Sequence, residues 1–206
     1  TPRAGINVSE GTWGGHIIEF NDVFDTVKET GDHGSFNSWG RDRFWHPHRQ
    51  VMDSLVNAEP SLILADVTSP IVLRHNRFRC DRGWDIDLDD GSGNYHIYNN
   101  LCLNGGIKLR EGFYRVVENN IIVNNSFHPH VWFKNSGDVF TRNIVMSSYR
   151  PIQVRHWGLE VDYNIFTDST AYQKARKQNT DAHSIVCTPA FLNPSRGDYR
   201  IDNHSD

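Results

Sequence analysis

Ile97-Tyr98-Asn99-Asn100-Leu101-Cys102 returns along the chain as Val117-Glu118-Asn119-Asn120-Ile121-Ile122, and this repetition decides the fold. An asparagine precedes a short apolar strand at Asn21, Asn76, Asn100, Asn120, Asn143 and Asn164. From Asn76 onward the spacings are 24, 20, 23 and 21 residues. Three positions before each asparagine stands an apolar residue: Ile18, Leu73, Ile97, Val117, Phe140, Val161. Two positions after it stands another: Val23, Phe78, Cys102, Ile122, Val145, Phe166. A period of about 20–24 residues with short strands and no helical segment between them predicts a parallel β-helix rather than a leucine-rich solenoid. The asparagines would stack as a ladder at one bend, their amides bonding successive backbones.

Each repeat also carries a second strand that ends in glycine: residues 85–91, 106–112, 130–137 and 151–158. Aligned on those glycines, the inward positions are Ile86, Ile107, Val131, Ile152 and then Leu88, Leu109, Phe133, Val154. Asn21 to Asn76 spans 55 residues, about 30 more than one coil requires. Residues 41–66 are read as a loop or short helix laid over the outer face, or as an irregular extra coil. Tyr172 to Lys177 is a polar, helix-compatible insertion. Ser184–Val186 and Asp198–Ile201 would be closing strands. The whole chain, 1–206, is read as one domain. Ile6 and Val8 already alternate like a coil strand without a cap, so the chain is expected to be the C-terminal part of a longer solenoid. The missing N-terminal coils, or another chain, would pack on that edge.

Composition fits this picture. The hydrophobic fraction of 37% is low and the aromatic fraction is 12%, as a thin core with many turns requires. A net charge of −4 argues against nucleic acid as a partner. There is no run of about 18 apolar residues of the kind that spans a membrane. Cys80, Cys102 and Cys187 have no metal-ligand spacing; Cys80 and Cys102 read as thiols in adjacent coils, or as a disulfide.

The chemistry concentrates in Trp84-Asp85-Ile86-Asp87-Leu88-Asp89-Asp90-Gly91. With period 2, Ile86 and Leu88 face inward, and Asp85, Asp87 and Asp89 face outward. Strand propensity gives no reason for three like charges in a row. In the glycine-aligned register the outward rows are Asp85, Gly106, His130, Pro151; Asp87, Lys108, Trp132, Gln153; and Asp89, Arg110, Lys134, Arg155. With coils about 4.8 Å apart, the acids would face a basic column, and Trp132 would offer a ring for stacking on sugars. Paired carboxylates suit acid/base or nucleophilic work in glycoside hydrolysis, and flanking cations could bind an acidic sugar. The plain alternative is a charge ladder on a solvated sheet. No cofactor is required, although Asp87, Asp89 and Asp90 could hold Ca²⁺. In Thr30-Gly31-Asp32-His33-Gly34-Ser35-Phe36, placing Phe36 inward puts Asp32, His33, Asn37 and Arg41 on the border of the same groove; Asp32 could equally hold a tight turn. His128 and His130 have metal-like spacing but no third ligand, so hydrogen bonding to substrate is the expectation, with His156 near the same end.

The asparagine-ladder coils resemble the large right-handed parallel β-helix carbohydrate-active proteins, as do Thr30-Gly31-Asp32-His33-Gly34, Asn37-Ser38-Trp39-Gly40-Arg41 and Asp85 to Ser92. The nearest type is glycoside hydrolase family 141, which includes α-L-fucosidase and xylanase activities. Asp181 to Val186, Phe191-Leu192-Asn193-Pro194 and Gly197 to Arg200 are similar to the C-terminal coils of such proteins. Family members are longer and carry further N-terminal coils. The resemblance implies a secreted or periplasmic polysaccharide hydrolase, with the two catalytic aspartates falling on Asp32 and one of Asp87 or Asp89. Asp87, Asp89 and Asp32 are therefore the catalytic candidates. Lys108, Arg110, Trp132, Lys134, Arg155, His130, Trp45 and His33 are the candidate substrate contacts. Two rivals stand beside this reading: a polysaccharide lyase or uronate epimerase led by Lys108 and Arg110, and a non-catalytic carbohydrate-binding solenoid.

Overall fold

The computed structural model describes residues 1–10 and 12–202. The chain is mainly strand, arranged in three parallel sheets that it visits in rotation. The first sheet takes Ile6–Ser9, Gly34–Trp39, Trp84–Asp89, Ile107–Leu109 and Phe127–Pro129 in that spatial order. The second takes Ile17–Glu19, Ile71–Arg74, Tyr95–Tyr98, Arg115–Glu118, Val139–Thr141 and Glu160–Asp162. The third takes Asp22–Val23, Arg77–Phe78, Leu101–Cys102, Ile121–Ile122, Ile144–Val145, Ile165–Phe166 and Ile185–Val186. Each strand pairs with its counterpart one repeat away, and the apolar positions lie in register: Leu73 on Ile97, Ile97 on Val117, Val117 on Phe140, Phe140 on Val161.

The asparagines form the expected ladder. Each backbone N–H and each side-chain amide donates to the Oδ1 of the next, from Asn21 to Asn76 (3.1 and 2.9 Å) through Asn143 to Asn164 (2.9 and 3.2 Å). The second amide hydrogen of Asn100 and of Asn120 reaches a carbonyl of the preceding repeat, Leu73 O and Ile97 O. The ladder ends on Ser184, whose Oγ accepts from Asn164 N at 2.7 Å, and on Asp181, which accepts from the Asn164 amide. The residue before every ladder asparagine lies in the left-handed region: Phe20, His75, Asn99, Asn119, Arg142 and Tyr163, all with φ between 55° and 57°. Only glycine and asparagine enter that region readily. The amide bonds must therefore offset a strain that four of the six side chains oppose.

Asn21 bonds directly to Asn76, so the 55-residue stretch is one repeat with an insertion and not two coils. The insertion contains helix α1 (Arg49–Ala58) and a 3₁₀ turn (Pro60–Leu64). It packs Phe44, Met52, Val56 and Ile63 on Phe113 and Phe133, forming a second apolar cluster apart from the core between the sheets. Helix α2 (Ser169–Lys177) is capped by Asp168, which accepts from Thr170 N and Ala171 N, a stabilising N-cap arrangement. Residues 191–201 do not continue the stack. Phe191–Asn193 and Asp198–Ile201 form an antiparallel hairpin. All three cysteines are free thiols. No helix among the described residues is long and apolar enough to cross a membrane.

The expected register fails beyond the third coil. Phe127, not Val131, pairs with Ile107, and His128 pairs with Lys108. Residues 130–137 are not a strand, and of 151–158 only Ile152 makes an isolated bridge, to His130. Aligning on glycine misplaced this segment because Gly137 closes a longer turn rather than the strand.

Removing an interior rung separates ladder energetics from surface polarity. Asn120→Ala leaves the Asn100 N–H and the Ile97 and Glu118 carbonyls short of partners. It is expected to cost about 2–4 kcal/mol in urea unfolding, while the exposed Asn124→Ala costs less than about 0.5 kcal/mol.

Candidate active site

The outer face of the first sheet carries the column Asn7, Asn37, Asp87, Lys108, His128, set by backbone pairing. The row beside it runs Ser9, Trp39, Asp89. Lys108 Nζ lies 3.0 Å from Asp87 Oδ1, 3.3 Å from Asp89 Oδ2 and 4.0 Å from Asp32 Oδ1. It also sits 4.2 Å from the centre of the Trp84 ring, a cation–π contact. Asp32, Asp87 and Asp89 bring carboxylate oxygens within 4.8 Å of one another. These three could hold a divalent cation, but Lys108 already supplies a positive charge between them. Asp90, expected as a third calcium ligand, turns instead to Arg41 (2.9 Å) and Arg110 (3.4 Å).

The three aspartates differ in access. The Asp32 side chain is 78% exposed, Asp89 16% and Asp87 0%. Both Asp87 oxygens lack a well-directed hydrogen bond, and Lys108 meets Oδ1 only as an ion pair. Burial pushes the Asp87 carboxyl up to about 7; Lys108 opposes this and Asp89 adds to it. Asp89 is held on both oxygens: Oδ1 accepts from Asp90 N (3.0 Å) and from Arg110 Nη1 (3.2 Å), and Oδ2 faces Lys108.

Asp85 does not belong to this face. It is buried in the bend and accepts from Cys80 N, Asn104 N and Gly106 N. Asp85 N and Ile86 N both donate to Gly106 O. The alternation breaks there, which turns Trp84 toward Lys108 although its parity is that of Ile86 and Leu88. Periodicity therefore hid Trp84 from sequence reasoning. A tryptophan opening an acidic strand was the available signal.

The predicted contacts divide. Arg110 joins the site, bonding Asp89 and Glu111. His33 borders it with both ring nitrogens engaged: Arg3 donates to Nε2 (2.9 Å), so Nδ1 carries the proton toward Thr30 Oγ1 (2.9 Å). Burial and then Arg3 lower its pKa. Trp45 donates to Glu111 Oε1, and with Trp39 it flanks the Arg41 guanidinium at 4.9 and 5.0 Å. His130 has a buried Nε2 without a partner, and burial followed by Lys108 depresses its pKa to about 4. Trp132 is a correction. It is core, with Nε1 donating to Leu109 O and its ring against Phe127 and Trp157, so its indole offers no stacking platform. Lys134 and Arg155 do not extend the Asp89 row. They line a separate cleft of about 670 Å³ with Arg49, Gln153 and His156. His128 takes the position on the central column that the glycine-aligned register gives to Trp132, and it donates Nε2–H to Asn125 O.

No protein-family model matches the chain, and neither a curated protein nor a solved structure does.

Asp87 offers a pH test. Its folded pKa, about 7, lies above its ordinary value near 3.8, so the folded state binds the extra proton between those values. Stability then falls as pH rises from about 4 to about 7. Asp87→Asn should flatten that part of the thermal-melting profile. Asp85 and Asp42, also pushed up to about 7 by burial, leave a residual slope.

Proposed function

We propose that the chain is a right-handed parallel β-helix glycoside hydrolase acting on a polysaccharide, secreted or periplasmic, with Asp32 and Asp89 as the working carboxyl groups. One observation carries this reading: two solvent-accessible carboxylates stand beside a buried Asp87–Lys108 pair on one face. The rotation of the chain through three parallel sheets with a shared asparagine ladder supports the β-helix. The likeness of the Asp32 and Asp87–Asp89 stretches to family 141 points the same way.

The roles follow from access and charge. Asp89, clamped by Lys108 and Arg110, suits the carboxylate that attacks the anomeric carbon and stabilises its positive charge. Asp32 has no cation closer than Lys108 at 4.0 Å, which suits the acid that protonates the leaving oxygen. Asp32 then takes a proton from water as the glycosyl ester on Asp89 is hydrolysed. Asp87 has no accessible oxygen and acts by positioning Lys108. The carboxylate oxygens approach within 4.8 Å. Nearest oxygens at that spacing are compatible with the close carboxyl pair of a retaining enzyme. Trp39, Trp45 and Trp84 would provide apolar ring surface near the acids. The lyase alternative is weaker because Lys108 is 3% exposed and committed to three acids.

A panel of polysaccharides, read both for new reducing ends and for the ultraviolet absorbance of unsaturated products, checks the class. Reducing ends without unsaturation are expected, with retained anomeric configuration by NMR. Asp89→Asn and Asp32→Asn should each lower kcat by about 10²–10⁴-fold. Full activity in both variants, or unsaturated products, would refute the assignment.

A further inference from the structure

We propose that the cleft beside the aspartates is a second subsite that binds an anionic sugar residue, carboxylated or sulfated, so that the substrate is a polyanionic glycan. This rests on the glycosidase reading for its occupant. The cleft itself stands on separate residues.

Its volume, about 670 Å³, falls within the roughly 300–1,000 Å³ of small-molecule sites. Four basic side chains face it, Arg49, Lys134, Arg155 and His156, against a single acid, Asp53. Arg49 is already spent on structure. Its Nε meets Asp53 at 3.1 Å, its Nη atoms bond the carbonyls of Val131 and Trp132, and its guanidinium lies 3.9 Å from the Phe133 ring centre. These contacts cancel Asp53 and pin α1 as a fixed wall. Lys134 and Arg155 make no ion pair among the described residues and are exposed, so their charges face the opening uncompensated. A local positive surface on a chain of net charge −4 selects anions at short range rather than by steering. A guanidinium matches a carboxylate or sulfate edge in bidentate fashion, and an ammonium meets either as a point charge.

A run of side chains leads from the acids toward this cleft. The Trp84 ring, over which Lys108 sits, is 6.4 Å from the His128 ring, and His128 is 6.0 Å from His130. Val131, the next residue, lines the cleft. Val131 and Gln153, each following one partner of the parallel His130–Ile152 bridge, both hold positive φ, 48° and 51°, and turn the chain there. An extended glycan could therefore present its scissile bond to Asp32 and Asp89 while an acidic unit farther along the chain occupies the cleft.

Calorimetric binding to the Asp89→Asn protein tests this with three probes: a galacturonate oligomer, a sulfated galactan oligomer and a neutral xylan oligomer. At least one anionic oligomer should bind more tightly than the neutral one, and which of them does identifies the anion. Adding Lys134→Gln and Arg155→Gln should weaken that binding about tenfold or more while leaving the neutral oligomer unchanged, and the difference should shrink at high salt. The proposal fails if neither anionic oligomer binds, or if the added changes have no effect. It also fails if Lys174→Gln with Lys177→Gln, exposed on α2 and outside the cleft lining, weakens binding as much. Full glycan cleavage by both Asp89→Asn and Asp32→Asn would remove the hydrolase assignment without touching the cleft.

Discussion

The asparagine ladder is the constraint on which the rest depends. Each rung satisfies a backbone N–H and a carbonyl at a bend where the preceding residue is forced into the left-handed region. Without those bonds the bend would leave buried polar groups without partners. The ladder thus fixes how far the chain advances per repeat. That advance puts Ile86, Ile107 and Phe127 on one line in the core. The same rise brings Lys108 directly alongside Asp87.

A second buried interaction plays a comparable role on another corner. Arg115 and Asp138 are both fully buried and joined by two bonds of 2.6 Å, and Arg115 also donates to Ser92 O and Arg110 O. Burying such a pair costs desolvation, which its own hydrogen bonds must offset, and removing one partner would leave the other charge buried alone. Here it ties the segment that follows the acidic strand to the segment that follows Arg110. The side chains of the candidate site hang from elements held at both ends.

Much of this was legible in the sequence because the asparagine spacing is a direct physical signal. Asn21 to Asn164 sit in the ladder as read. Phe36 pairs with Ile86, so Asn37 and Trp39 stand beside Asp87 and Asp89. The facing of Asp87 by Lys108 and of Asp89 by Arg110 was equally readable, since it needs only one coil of register. Two things were not. The turn after Phe127–Pro129 lengthens without any change of composition, so counting back from Gly137 slipped the register and brought Trp132 to the surface on paper. Burial along one face was also invisible. Alternation cannot tell Asp85, which caps three backbone N–H groups, from Asp89, which meets solvent, nor show that Asp87 lies beneath Lys108.

The direct bond between Asn21 and Asn76 has a bearing on how such a chain can diversify. Residues 40–70 leave the stack after Gly34–Trp39 and rejoin it at Ile71, at positions the repeat has already fixed, and long excursions add little closure entropy. The repeat backbone is in that sense indifferent to what is spliced between its rungs. New walls and new recognition loops can be exchanged at this port, while the carboxylates beneath keep their places.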